Sequence, residues 1–377
     1  MLAIQMPTPE GLHDSTDNDN LLWKPFFYRL SNPADRQEFE TLLEQNRFTR
    51  INDHLISQLA ELIKSRNPGK NAGTEQLRDL AAEHLAGTDP RNYGVWVYYP
   101  WSGSVVHVLD EEEFIEVRTN RNMLKITAVE RSVLRSKKIG IAGLSVGHSI
   151  ALTLATERTC GELRLADFDE LELSNLNRIR SGLTNLGLPK VIIAAREIAE
   201  IDPFIRVRIF PEGLQEGNMN AFFGEEDKLD LFVEVCDSLD IKIRSRVVAR
   251  ALEIPVIMDT NDRGMLDIER FDLDPGRSLF HGLLDPYTGS DGSVNVTPEN
   301  RMQILMALVS FESLSERMKL SMGEIGKTIS TWPQLASSVI LGGAITTDIC
   351  RKILLDQHTG SGRYYVDLDE IFQGVRK

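Results

Sequence analysis

The stretch Lys138–Lys190 constrains this chain more than any other. KIGIAG is a short apolar strand. It runs into the turn Gly143-Leu144-Ser145-Val146-Gly147-His148 and then a helical segment, GHSIALTLATER. A second apolar strand, ELRLAD, ends at Asp167, with Asp169 two residues on. Strand, glycine turn, helix and strand make a nucleotide-binding βαβ unit. Glycine lets backbone approach a phosphate, and the helix N-terminus presents N–H donors and the positive end of its dipole. Ser145 takes the second glycine position of G-x-G-x-x-G, so a tight structural turn is the alternative. Asp167 lies at the spacing at which an acidic side chain grips ribose hydroxyls. Its alternative is a cap or loop carboxylate.

A dinucleotide site would look the same up to that point. The residues downstream decide. Asn175 and Arg178 stand in SNLNR, and Lys190 opens a helix after GLP. An amide, a guanidinium and an ammonium beyond a nucleotide fold suit the charge of a triphosphate. Singly, each reads as a surface residue or cap. Asp237 follows the strand LDLFVEV. A carboxylate past a parallel strand faces the ligand crevice and suits Mg²⁺; otherwise it starts the helix IKIRSRVVARALE. The candidate nucleotide-binding residues are Gly143, Ser145, Gly147, Asp167, Asp169, Asn175, Arg178 and Lys190, with Asp237 as metal ligand.

Between 138 and 259, strands (KIGIAG, ELRLAD, RVRIF, LDLFVEV, IPVIMD) alternate with helical segments. That pattern predicts an α/β fold: a Rossmann-like, mostly parallel sheet with helices on both faces. Beyond Asp259 the pattern loosens: residues 270–300 are loop-rich, and helices follow around 303–318 and 333–356. GRYYVDLD is a short strand that closes the sheet. Residues 1–20 are polar and read as a flexible tail. Residues 21–110 read as a small α+β module. It has a strand in LLWKPFFYRL, helices over 34–46, 51–65 and 74–87, and a hairpin around Ser102-Gly103. A larger domain is then expected over 111–377.

Net charge is −14. An acidic chain repels phosphate backbones and anionic lipid, so neither nucleic acid nor membrane is an expected partner. The N-terminus has no basic start before an apolar run, and no apolar stretch reaches a membrane span's roughly 18 residues. A cytoplasmic protein is expected. Three cysteines (Cys160, Cys236, Cys350) form no C-x-x-C pair, so no zinc is expected.

RTNRN (118–122), the glycine turn, DFDELELSNLNR, GLPK and VCD occur in this order. On these motifs, the region from Arg118 to about Asp274 resembles the ThiF/MoeB superfamily, the adenylating domain shared with ubiquitin-activating enzymes. The resemblance implies binding of ATP and Mg²⁺ and transfer of AMP to a carboxylate. Asp167 would hold the ribose, with Asp169 near the reacting phosphate. Asn175, Arg178 and Lys190 would meet phosphates, and Asp237 the metal. Arg121 would be inserted by a partner subunit, implying a homodimer. Catalytic roles thus fall to Arg121, Arg178, Lys190 and Asp237. Ser145 and His148 depart from the family's glycine turn, which implies a different turn shape. The paired zinc cysteines and an evident thioester cysteine are missing, which favours direct capture of the acyl-adenylate by an amine, amide or carbon nucleophile.

A small domain before a ThiF-like one is similar in organisation to the enzymes that mature ribosomal peptides of the pantocin A and microcin C type, a branch of antibiotic biosynthesis. That implies a precursor peptide or small protein as substrate, activated at a glutamate side chain or C-terminus. Trp96, Tyr98, Tyr99 and Trp101 either line a peptide groove or fill a hairpin core. Asp259, Asp262 and Arg263 are substrate contacts or loop caps. His281 is a proton-transfer residue or a solvated loop histidine. The competing functions are sulfur-carrier or ubiquitin-like protein adenylation, an NAD-dependent oxidoreductase, and a non-catalytic peptide-binding protein.

Overall fold

Asp53 decides where the second helix of the chain begins. Its carboxylate accepts the Leu55 N–H at 3.2 Å, so the helix starts there and the residues before it are freed to pair as a strand. The computed structural model describes residues 21–69, 73–289 and 294–372. The proposed tail 1–20 lies outside them. The chain divides into two compact units, Met1–Arg121 and Asn122–Lys377.

The first unit runs β1 (Phe26–Tyr28), α1 (Pro33–Glu44), β2 (Arg50–Asp53), α2 (Leu55–Arg66), α3 (Thr74–Leu85), β3 (Val95–Tyr99), β4 (Ser104–Val108) and α4 (Glu111–Arg118). The sheet order is β1-β3-β4-β2. β3 and β4 form the expected hairpin, and β2 lies parallel to β4. Ile51 fits the apolar spacing of the helix that follows, so the sequence extends that helix back over 51–53, yet these residues pair as β2. Trp96, Tyr98 and Tyr99 are buried. Trp96 stacks on His107 with ring centroids 4.0 Å apart, and Tyr98 donates to the Arg47 carbonyl at 2.8 Å. These aromatics serve as hairpin core. Phe114 and Val117 of α4 pack on Leu55, Leu59 and Leu62 of α2.

The second unit begins with α5 (Ala128–Arg135), β5 (Lys138–Ala142), α6 (Gly147–Glu157), β6 (Glu162–Ala166), α7 (Lys190–Ile201) and β7 (Arg206–Phe210). It continues with α8 (Met219–Phe223), β8 (Leu231–Glu234), α9 (Leu239–Ala251), β9 (Val256–Thr260) and β10 (Met265–Glu269). It ends with α10 (Arg301–Val309), α11 (Glu316–Glu324), α12 (Ala336–Leu354), β11 (Gly362–Tyr365) and α13 (Leu368–Ile371). The sheet order is β11-β10-β9-β8-β5-β6-β7. β7, β6, β5, β8 and β9 are parallel, and β10 and β11 are added antiparallel. This is the expected Rossmann-like sheet. Apolar residues of α8 and α9 fill one core with β8, around Phe222, Phe223, Phe232 and Ile243. On the other face α6 packs against α7 and α12. The strand order reverses at β5, whose neighbours are β6 and β8, so the crevice opens beyond their carboxyl ends.

In the second unit two elements depart from expectation. After Asp259, where the sequence pattern only loosens, the chain turns through Asp262–Gly264 into β10, a strand that pattern does not announce. The helix expected over 303–318 breaks at Ser310, whose φ is +51°.

Candidate functional site

β5 delivers Gly143 to the crevice at φ +94°. A Cβ there would lie 2.6 Å from the Val235 carbonyl oxygen, so strand β8 leaves room only for glycine. The Leu144 N–H, next in the turn, donates to Asp167 Oδ2 at 2.5 Å. The Asp169 N–H donates to Asp167 Oδ1 at 2.8 Å. Asp167 therefore ties the glycine turn to the end of β6. An ionised carboxylate has about four acceptor sites, so lone pairs remain open to further donors. Burial pushes the Asp167 carboxyl above the usual range, opposed by those two N–H groups and by Lys190.

The cations enter from the following segment. A 3-10 turn over Leu173–Asn177 carries Asn175 and presents Arg178 at its end. Arg178 Nε donates to Ser145 Oγ at 2.9 Å. The serine that replaces a glycine thus acts as a docking point for the guanidinium. Burial lowers the Arg178 pKa and the Asp237 charge raises it; the group stays cationic. Asn175 spends its side-chain oxygen on the Glu172 N–H at 3.1 Å, leaving its NH₂ as the end able to meet a ligand. Lys190 is buried in the first turn of α7 and donates to Asp169 Oδ2 at 2.7 Å. Two further N–H donors of the ammonium remain.

Ala142, Gly143, Ser145, Ala166, Asp167, Asp169 and Asp237 line one cleft. Arg178 and Lys190 join it through Ser145 and Asp169. Gly147 sits inside α6, where a Cβ would lie 2.8 Å from Ile141 Cγ2, so it permits close helix–sheet packing. His148 turns away from the cleft; it is buried, with Nε2 3.3 Å from Glu197. Phe168, Leu214, Val235 and Ile241 form an apolar wall of the cleft that the sequence motifs do not mark. Phe168 is 74% exposed, and only its place between two aspartates hinted at it. Glu234 is likewise unmarked by any motif; its signal is a lone carboxylate in an apolar strand.

The ThiF family model matches residues 119–324, more than half of the chain. The chain belongs to the ThiF family. The Mycobacterium tuberculosis (strain CDC 1551 / Oshkosh) protein MT1398 is 44% identical over 273 residues, which are 72% of this chain and 38% of that protein. The chain therefore spans well under half the length of that relative. The tRNA threonylcarbamoyladenosine dehydratase of Bacillus subtilis (strain 168) is 21% identical over 243 residues, 62% of this chain and 95% of that protein. Among solved structures, selenomethionine PaaA superposes with a TM-score of 0.48 and 19% identity over 82% of each chain.

Other candidates take structural places in this ThiF-family chain. Asp262 accepts from the Ser315 backbone and hydroxyl at 2.8 and 2.6 Å, at the start of α11. Arg263 donates to Asp367 at 2.5 Å and to the Ser313 carbonyl at 2.8 Å. Both act as loop ties. His281 is no solvated loop histidine: Arg277 donates to its Nδ1 at 2.6 Å, and its Nε2 lies 3.1 Å from Asp267 Oδ2. Arg121 is exposed in the 3-10 turn Asn120–Asn122, at the last position of the first unit. Among the described residues, no group of three or more His, Cys, Asp or Glu side chains is placed to hold a metal ion. No described helix is long and apolar enough to cross a membrane.

Asp259 is buried beneath α12 with no hydrogen-bond partner for either carboxylate oxygen. A Cβ at Gly342 would fall onto that carboxylate. Burial pushes the Asp259 pKa up to about 7. With the folded pKa raised, the folded state binds the proton more tightly than the unfolded chain. The stability this confers is present at acid pH and is lost as pH rises from about 4 to about 7, by at most about 4 kcal/mol. Asp259→Asn should therefore exceed the parent in unfolding free energy by only about 1.5 kcal/mol at pH 5 and by up to about 4 kcal/mol at pH 8. Equal differences in unfolding free energy at both pH values would refute this.

Proposed function

We propose that this chain is an ATP- and Mg²⁺-dependent adenylyltransferase that activates a carboxylate of a peptide or small protein. The observation that carries the reading is the cleft: a glycine turn tied to Asp167, with two cations and an unpaired carboxylate converging on it. The apolar wall suits a purine, Asp167 a ribose, and Arg178 and Lys190 a polyphosphate. A carboxylate oxygen attacking the α-phosphorus breaks the bond to pyrophosphate. Alignment and charge neutralisation suffice for that step; no protein nucleophile is needed. Arg178 and Lys190 would hold the charge moving onto the leaving pyrophosphate.

Asp237 fits a metal. It is exposed at the cleft, and Mg²⁺ is commonly held by one or two carboxylates plus substrate phosphates. Bound there, the ion would neutralise phosphate charge and polarise the α-phosphorus.

Direct capture of the acyl-adenylate is favoured over a thioester relay. Burial raises the Cys160 thiol to about 12 and the Cys350 thiol well above its usual value. Burial and then the Glu234 charge raise the Cys236 thiol. Thiols held neutral are poor nucleophiles. The separate α+β unit, with β1 and β2 at its sheet edges, is assigned to peptide recognition. A homodimer would place Arg121 of one subunit at its partner's site, and the cytoplasm is the proposed compartment. The substrate's activated group would be a glutamate side chain or a C-terminus.

Calorimetry with Mg²⁺-loaded ATP tests the reading. Binding is expected, with ATP–pyrophosphate exchange appearing on adding a peptide that offers a glutamate side chain and a free C-terminus. Asp237→Ala should abolish exchange while ATP alone still binds. NADH binding with a flat ATP titration would replace the reading by the oxidoreductase. Exchange supported only by a carrier protein ending in Gly-Gly would move it to sulfur-carrier or ubiquitin-like adenylation. Peptide binding without ATP use would leave a non-catalytic binder.

A further inference from the structure

Asp237 stands exposed, and among the described residues no hydrogen bond of its side chain is present. The backbone turn Cys236-Asp237-Ser238 therefore sets where its carboxylate points. Glu234, at the end of β8 and fully buried, grips that turn. Its Oε1 accepts the Cys236 N–H at 3.0 Å and the Cys236 thiol at 3.2 Å. Lys242, from the first turns of α9, donates to the same Oε1 at 2.9 Å. Arg246, one turn further along α9, donates to Oε2 at 2.5 Å and to Glu269 at 2.7 Å. At the other end of the turn, the Ser238 hydroxyl accepts the Ile241 N–H at 3.4 Å and caps α9.

Burying a carboxylate with two cations is expensive and gives little net stability. A charged cluster at this strand end has a geometric use instead: it locks β8, α9 and the turn between them to one another. We infer that Glu234 and Lys242 are positioning residues that hold the Asp237 carboxylate in its metal-binding pose. This rests on the reading of Asp237 as the Mg²⁺ ligand. The Glu234 carboxylate orders the Cys236 amide, and Lys242 fixes the rotamer of that carboxylate. Outer-shell partners of this kind set the geometry of a ligand they never replace.

The test uses Lys242→Met, whose side chain is 16% exposed and leaves Glu234 still paired with Arg246. ATP affinity is measured by calorimetry in EDTA and over a range of free Mg²⁺. The Mg²⁺ needed for half-maximal tightening should rise by about tenfold, as for other outer-shell substitutions. Affinity in EDTA should stay at the parent value, and Lys242→Arg should recover most of the loss. Hydrogen exchange of the Cys236–Ser238 amides, with neither nucleotide nor metal present, should speed up in Lys242→Met and stay near the parent rate in Lys242→Arg. An unchanged Mg²⁺ dependence, or an equal loss of affinity with and without Mg²⁺, would overturn the assignment. If the parent protein itself shows no effect of Mg²⁺ on ATP binding, the metal reading of Asp237 falls and takes this inference with it. Glu234→Gln provides the second variant, expected to act in the same direction.

Discussion

Lys190→Ala should lower pyrophosphate release by about 10²–10³-fold, the range found when one preorganised donor to developing charge is removed. The ammonium is held at 2.7 Å from Asp169 Oδ2 and is buried, so water cannot substitute for it freely. The fold should tolerate the change, because Asp169 is 52% exposed on its side chain and can be hydrated once unpaired. A loss confined to kcat, with an unaltered melting temperature, is the expected pattern. Less than a tenfold change in single-turnover rate would remove Lys190 from the catalytic set. Mixing gives a sharper result. Arg121→Ala and Lys190→Ala subunits, each inactive alone, should regain about a quarter of the parent activity when mixed as a random two-fold dimer. Half of the dimers are then mixed, and each mixed dimer has one site with both groups intact. No recovery would refute a site shared between subunits.

Arg246→Met should destabilise the second unit by about 3–5 kcal/mol, the cost of leaving buried partners of an ion pair uncompensated. Arg246 is fully buried between Glu234 and Glu269, and its guanidinium carbon lies 4.0 Å from the Phe280 ring centroid. Glu269 also accepts the Phe280 N–H at 2.5 Å, which ties the loop after β10 into the same network. The variant leaves Glu234 with Lys242 and Glu269 with only that N–H. Denaturant midpoints should fall with little change in slope. Substituting Glu234, Arg246 and Glu269 together by Leu, Met and Leu should recover most of the stability while still disturbing the Asp237 turn. A single-variant loss below about 1 kcal/mol would show that water or rearrangement compensates the charges.

The parts of this protein that are local in sequence were legible there. The strands from KIGIAG to IPVIMD appear as short apolar runs, and the helices between them show their own period. The glycine turn and Asp167 stand at the spacing a βαβ unit imposes. β2 and β10 were not legible. Arg50–Asp53 becomes a strand only because β4 lies beside it. Met265–Glu269 carries two carboxylates, Asp267 and Glu269, that look like loop residues. Both are buried, and their partners Arg363 and Arg246 are remote in the chain. The same holds at the cleft: nothing in the spacing showed that Ser145 would dock Arg178 or that Asp169 would pair with Lys190.

The amino-acid sequence alone determined the class of sheet and the family. Those properties depend on hydrophobic period and on backbone turns a few residues long. Only the tertiary structure decided which polar groups are already engaged and which remain open to a ligand. It left the Asp237 carboxylate open on a turn gripped by Glu234, and it buried Asp259 without a partner. Ion pairing and burial depend on distances between strands and helices far apart in the chain, and no local pattern encodes those distances.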